Sequence, residues 1–471
     1  MAAGFYSLAD ILAVAQVHPF YSDTLYPPTR DQLPHILHAA QANPEAGRAL
    51  ESFPLTRKHS LYQHISRLTV DKDPRNGYRQ GTFVSTTGGG SGGAPMVFAT
   101  DAIENRQQRA VVGDVLRNCG LIEPGDWVLT LHVSGHLYRA LDLMTELFEN
   151  AGAAVLCAGP EMAHSAVVEA IIQYRANAVA GDVSQLLQLA KYVTTLDATQ
   201  KDALALTKLF YTSESITSSQ RGFLISVFGD LTICSVIGSA EAGAWGVSSS
   251  ALTGIPKANY TDFIVDKRTI HLEIFPLTVA DQAEAMTPCS PTPRAKQLPP
   301  GHPGLLVQTS LQRLRNPLVR YLCGDIASLH PLPSTLLSTL PTHHTDHYQL
   351  VRIYGRDQRS SFTWYGEYFE FGAIETFMRA EQWDILLWQI ILQHASPEGA
   401  DVDVDVVLEV RVFRDPESRV SQEVLAAKIR EFFWVFDFNA ELFRLEFLGD
   451  TRGFRRSRTG RKVMQFVDLT G

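Results

Sequence analysis

Between residues 125 and 195 the chain repeatedly changes its hydrophobic period, and that change restricts the fold more than any single motif. "DWVLTLHVSG" is a short apolar run with strand character, and "YRALDLMTELFENAG" has helical spacing ended by Gly152. "AAVLCAG" reads as another strand, and the helical "HSAVVEAIIQYRA" and "VSQLLQLAKYV" flank the apolar "NAVAG". Strands separated by helix-length segments predict an α/β layer with a parallel component, because parallel neighbours need a long crossover. Upstream, Asp101 with Glu104 three residues later reads as a capping box opening a helix that carries Ile103, Val111, Val115 and Cys119.

A length of 471 residues, 45% hydrophobic and 19% charged, suits a globular chain of more than one unit at roughly 150 residues each. The proline-rich text from 278 to 304 reads as a surface loop, since strand-like "HLEIF" precedes it and "GLLVQTSL" follows it. A boundary is expected near 354–361. This divides a large N-terminal α/β domain with mixed sheets and flanking helices, 1–355, from a small C-terminal α+β domain, 356–471, with a hinge near 356–358. In the small domain Val402, Val404, Val406, Leu408, Val410 and Val412 alternate with polar residues, followed by helix-like "SQEVLAAKIREFFW" and strand-like "LFRLEFL". Asp401, Asp403, Asp405 and Glu409 then fall on the wet face of that strand rather than in a metal cluster.

The formal net charge of −9 argues against a general nucleic-acid binder. Cys119, Cys157, Cys234, Cys289 and Cys323 are widely spaced, without zinc-ligand pairs, and read as reduced thiols. The first positive side chain is Arg30 and no apolar run has a membrane span's length, so a soluble cytoplasmic protein, monomer or homodimer, is expected.

Residues 85–95, "STTGGGSGGAP", fit several motifs. Gly88, Gly90 and Gly93 match the dinucleotide fingerprint, and Gly89, Ser91 and Gly93 match a hydrolase nucleophile elbow. Both need a helix directly afterwards, whereas Pro95 and "MVF" supply extended chain. A P-loop would need Lys and Ser or Thr after Gly93, where Ala94 and Pro95 stand. What remains is a hydroxyl- and glycine-rich loop between extended segments, whose backbone N–H groups can wrap a triphosphate; a plain surface loop is the other reading.

Read as "GSGGAP", residues 90–95 resemble the "GTTGKP" phosphate loop of the adenylate-forming superfamily of acyl-CoA synthetases, adenylation domains and luciferase. Further segments resemble that superfamily's motifs in its order. "YTSESITSS" is similar to the adenine segment and "VIGSAEAG" to "YGLTE"; "LVRYLCGDIASL" is similar to "IRYRTGD". "IYGRDQRSSFTWYGEYFE" resembles the hinge segment, and "RSRTGRKVMQFVD" the terminal lysine motif. The resemblance runs from "FPLTRK" near residue 50 to the C-terminus and leans toward the phenylacetate-CoA ligase branch.

The resemblance implies ATP-dependent formation of an acyl-AMP from a carboxylic acid, aryl or arylacetic in that branch, with Mg²⁺, then transfer to coenzyme A. An amine or carrier-protein acceptor, or nucleotide binding without turnover, stays open. It assigns Gly90, Ser91, Gly92 and Gly93 to the phosphates, Ser213, Glu214, Ser215 and Gly238 to the adenine side, and Glu241 to Mg²⁺. It assigns Asp325 to the ribose hydroxyls, Arg356 to the ribose and phosphate side, and Lys462, on a mobile C-terminal segment, to catalysis. His132, Gly135 and His136 fall where the acid pocket opens; either histidine is equally read as a satisfied polar residue near the core. Departures from the motifs are Ala94, Ile237, Ala240, Cys323, Gln358 and Arg461, which stand where a lysine, an aromatic, two threonines, Asp or Lys, and a glycine are usual.

Overall fold

The computed structural model describes residues 5–43, 47, 49–86, 97–135, 137–212, 216, 218–257, 260–279, 296–337, 340, 345–357, 361–395, 406–414, 418, 420–455 and 463–470. Backbone contacts divide the chain into two compact units, with the C-terminal break between Asp357 and Gln358.

The large unit is organised by an eleven-stranded mixed sheet. From one edge, Ala154–Cys157, Trp127–Thr130, Ala178–Asp182, Lys208–Thr212 and Thr232–Ser239 run parallel. The sheet then becomes antiparallel through Gly243–Ser249, Thr261–Asp266, Tyr348–Arg356, Tyr321–His330, Gly304–Ser310 and Ile270–Phe275. The α/β expectation is therefore met, and the strands and helices read from residues 126 to 194 are present. Helix Ala140–Ala151 ends at Gly152 with φ 107°, the left-handed conformation that a glycine takes without Cβ strain.

Alternation along the parallel strands feeds two cores. Val128, Ala178, Ala180 and Phe210 pack with Leu147 and Phe148 on one face. Leu129, Val179, Leu209 and Tyr211 pack with Val167, Leu186 and Leu224 on the other. Strands covered on both faces need near-continuous apolar text, which explains "AVLC" and "NAVAG".

Helix Ala102–Asn118 starts where expected, with the Asp101 carboxylate accepting from the Ile103 and Glu104 amides. The capping box does not form as read: Glu104 turns inward and accepts from the Leu314 and Arg315 amides at 3.0 and 3.1 Å, and Ile103 is exposed. A buried loop with its own backbone donors competes successfully for that carboxylate.

The early residues have a structural task that their text did not suggest. Ile11, Phe20, Tyr21, Phe53, Leu61, Ile65 and Tyr78 share one core with Leu311, Leu314, Leu318 and Val319. Polar anchors complete this cover: the Val319 amide donates to Tyr21 Oη at 2.7 Å, and the Thr56 amide to the Arg320 carbonyl at 2.8 Å.

In the small unit, Phe443–Phe447, Val406–Arg414, Ile385–His394 and Phe466–Asp468 form a four-stranded sheet in that order. Helix Gln422–Phe432 covers it, burying Leu425, Ile429 and Phe432 against Ile390, Leu408, Val410 and Val412. Glu409 corrects the wet-face reading: it is buried, accepting from Gln393 Nε2 at 2.9 Å and paired with Arg411. Asp401, Asp403 and Asp405 lie outside the described residues. Among the described residues no helix is long and apolar enough to cross a membrane.

Candidate functional site

The two strands flanking the glycine-rich stretch, Thr82–Thr86 and Val97–Asp101, pair antiparallel with Thr86 opposite Val97. Extended chain, not helix, thus follows the stretch, which removes the fingerprint and elbow readings. Gly90, Ser91, Gly92 and Gly93 themselves lie outside the described residues, as do Ser213, Glu214, Ser215, His136 and Lys462.

Gly238 and Glu241 belong to a tight hairpin between Thr232–Ser239 and Gly243–Ser249. A Cβ at Gly238 would stand 2.8 Å from the Gly243 carbonyl oxygen and 2.9 Å from the Ala244 Cα, so the close approach of the two strands requires glycine there. The Ser239 hydroxyl accepts from the Ala242 amide at 3.0 Å and closes the turn. Glu241, at its tip, is only 7% exposed. Its Oε1 accepts from Tyr62 Oη at 2.8 Å and from Tyr321 Oη at 3.3 Å. Beside it Arg313 Nη2 donates to the Ala240 carbonyl at 3.1 Å. Burial pushes the Arg313 guanidinium down to about 10, with Glu241 opposing, so it stays cationic at neutral pH.

Tyr321 begins strand Tyr321–His330, which carries Asp325 four residues on, at most about 14 Å along an extended chain. Here the ladder is irregular on both sides. Leu305 and Val307 oppose Ile326 and Leu322, and Gly355 and Ile353 oppose Ile326 and Ala327. Such bulges re-aim side chains out of the regular alternation. Gly324 takes φ 86°, the Asp357 amide donates to its carbonyl at 2.8 Å, and a Cβ there would meet Arg356 Nη1 at 3.1 Å. Asp325 lies directly opposite Arg356, with Nη1 to Oδ1 at 3.3 Å, and Arg356 also donates to the Cys323 carbonyl. Both side chains keep part of their surface in solvent, so a ligand hydroxyl can reach the carboxylate.

His132 is placed differently. It is buried, Nδ1 hydrogen-bonded to Thr130 Oγ1 and Nε2 to Thr212 Oγ1, each at 2.9 Å. Burial lowers its pKa to about 4, so the ring is neutral at physiological pH and spends both nitrogens on threonines. This is the geometry of the satisfied-polar reading. Gly135 is exposed, with φ 102°, in a two-residue pairing of Ser134–Gly135 with Tyr138–Arg139.

The structure is similar to 2-hydroxyisobutyryl-CoA ligase solved with 2-HIB-AMP and CoA in the thioesterification state: TM-score 0.62, 19% identity, covering 97% of this chain and 87% of that one. It is also similar to an open conformation of that ligase with the same ligands, TM-score 0.53 and 17% identity over 97% and 89%. For the postadenylation state with 2-HIB-AMP, the TM-score is 0.52 and identity 19% over 97% and 87%.

The chain has the fold of this CoA ligase.

The sequence matches no protein-family model and no curated protein significantly, so the likeness lies in the fold. Of the described candidates, Gly238 and Glu241 lie on the first antiparallel hairpin of the sheet, and Asp325 and Arg356 on two paired antiparallel strands. Sequence reasoning missed Tyr62, Tyr321 and Arg313. Tyr321 was within reach, since it stands inside the segment "VRYLCGD" that nominated Asp325. Arg313, Arg315 and Arg320 in the otherwise apolar "TSLQRLRNPLVRYL" were a visible sign of buried charge, whereas nothing in "SLYQHISRL" singles out Tyr62.

Proposed function

We propose that this chain activates a carboxylic acid with ATP and passes the acyl group to coenzyme A. A carboxylate oxygen forms a bond to the α-phosphorus, the α–β anhydride bond breaks, and pyrophosphate leaves. The thiol sulfur then attacks the acyl carbon, AMP departs with the C–O electron pair, and the thiol proton passes to solvent. The observation that carries the reading is the pairing of a buried hairpin carboxylate, Glu241, with the Asp325–Arg356 pair on one continuous strand system. The fold shared with a ligase solved with its acyl-AMP and CoA supports it.

In this reading Asp325 accepts the ribose hydroxyls, which suits an acceptor-only group, and Arg356 orients that carboxylate. Gly90 to Gly93 offer backbone donors to the phosphates, Ser213 to Ser215 line the base, and Lys462 brings positive charge to the adenylation step. Glu241 fits Mg²⁺: it is a hard oxygen donor, and one of its oxygens accepts no hydrogen bond from the described residues. Bound there, the ion would offset charge on the phosphate oxygens. The phenylacetate-CoA ligase resemblance supports an aryl or arylacetic acid.

The test is incubation with ATP and a panel of carboxylic acids, followed by mass analysis of products with CoA, with amines and with neither acceptor. An acyl-CoA with AMP and pyrophosphate is the expected outcome. Amide products would move the acceptor to an amine, and absence of AMP with every acid would overturn the reading in favour of nucleotide binding without turnover.

A further inference from the structure

The environment of Glu241 is lopsided. Both donors among the described residues, Tyr62 Oη and Tyr321 Oη, converge on Oε1, while Oε2 accepts nothing from the described residues. An ionised carboxylate has about four lone-pair sites, and one buried only for packing does best with donors on both oxygens. The donors are also neutral. A tyrosine hydroxyl holds a carboxylate without cancelling its charge, whereas lysine or arginine in its place would form an ion pair and compete with any cation.

The positive charge sits one layer back. Arg313 is 2% exposed and donates through Nη2 to the carbonyl of Ala240, the residue before Glu241, while its Nε and Nη1 find no hydrogen-bond partner among the described residues. Its guanidinium lies 5.0 Å from the Phe98 ring centroid. This arrangement offsets the desolvation of Glu241 at a distance and fixes the turn that carries it.

We infer that Tyr62, Tyr321 and Arg313 are positioning residues that hold Glu241 by Oε1 and reserve Oε2 for a hard divalent cation carried on the phosphates of a nucleoside triphosphate. The inference rests on the adenylation reading for its triphosphate. It assigns helix Lys58–Val70, which bears Tyr62, a part in the metal site that no motif indicated.

The experiment measures Mn²⁺ binding by electron paramagnetic resonance in the presence of a non-hydrolysable ATP analogue, for wild type, Tyr62→Phe and Tyr321→Phe. Each variant is expected to bind Mn²⁺ roughly 10-fold more weakly, the loss of one hydrogen bond to a charged group. Affinity for the metal-free analogue should be unchanged. A merely structural role would instead weaken the analogue equally with and without metal and lower the melting midpoint; that result, or unchanged Mn²⁺ affinity, overturns the inference. Tyr62→Phe keeps the ring that packs in the core, so it decides alone should Tyr321→Phe fail to fold. Acid-dependent formation of AMP by wild type separates the two levels. If it is present while the variants bind Mn²⁺ normally, only the positioning role falls; if it is absent for every acid, the adenylation reading falls and takes the inference with it.

Discussion

The two ends of the main sheet solve different problems. At the parallel end, burial is apolar: Val128, Leu129, Ala178, Val179, Leu209 and Phe210 pack on both faces beneath helices. At the antiparallel end the interior holds Glu241, Glu273, Arg313, Arg315, Asn316 and Arg320, all under 8% exposed. Long crossovers give the parallel end its regularity, whereas the antiparallel end is joined by hairpins and by the buried loop from 311 to 320, which place charge where the ladder is already irregular. The lesson is that the parallel end can act as scaffold, while the antiparallel end holds the buried charge on which the proposed ligand chemistry rests.

The largest effect should come from unbalancing that charge. Arg320 reaches both oxygens of Glu273, at 3.2 and 3.3 Å, and donates to the Phe53 carbonyl at 3.0 Å. Arg320→Ala leaves a buried carboxylate uncompensated and should cost ~3–5 kcal/mol in urea unfolding. Removing Glu273 as well should cost less than the two single losses added; strict additivity would show that the pair is not coupled.

At the other end, Leu209→Ala should destabilise by ~2–5 kcal/mol through a cavity. The folded variant should keep its Michaelis constant for ATP. A large rise in that constant would erase the distinction between scaffold and site.

A pH experiment sharpens the contrast. Burial and the neighbouring Asp101 raise the Glu104 carboxyl from 4.5 to about 7. The folded state then keeps a proton that the unfolded chain releases, so this group's contribution is full below about pH 4.5 and is lost as pH rises to about 7. The stability difference between wild type and Glu104→Gln should shift against wild type across that window, by ~3 kcal/mol at most. His18 and His132 titrate in both proteins and cancel. Urea titrations at pH 5 and 7.5 that give a constant difference would show that Glu104 is ionised throughout.

The smallest effect on stability is expected at the partly exposed Asp325–Arg356 pair. Asp325→Ala removes a charged acceptor worth ~1.5–3 kcal/mol, so the Michaelis constant for ATP should rise roughly 10- to 150-fold with the fold retained. Kinetics of the purified variant check this directly.

Periodicity carried the parallel end well, because each strand and helix there is defined by local apolar spacing and by a stop such as Gly152. It carried the antiparallel end and the small unit poorly. Glu104 looked like a cap and became an anchor for residues 314 and 315, and Glu409 looked solvent-facing but found Gln393 and Arg411. Both outcomes depend on donors far away in sequence or across a strand, which no local pattern encodes. Candidate residues were legible where a motif named them, at Glu241 and Asp325, and illegible at Tyr62, whose contact with Glu241 exists only once the fold brings together residues 179 positions apart.

The measurement that bears most directly on the central claim is acid-dependent ATP–pyrophosphate exchange in wild type beside Glu241→Gln. Exchange is expected in wild type with at least one carboxylic acid, with a drop of roughly 10-fold or more in the folded variant, because the charge that meets the cation is gone. Equal exchange in the two proteins, or none in wild type with any acid, would contradict the assignment of the antiparallel end as the nucleotide site.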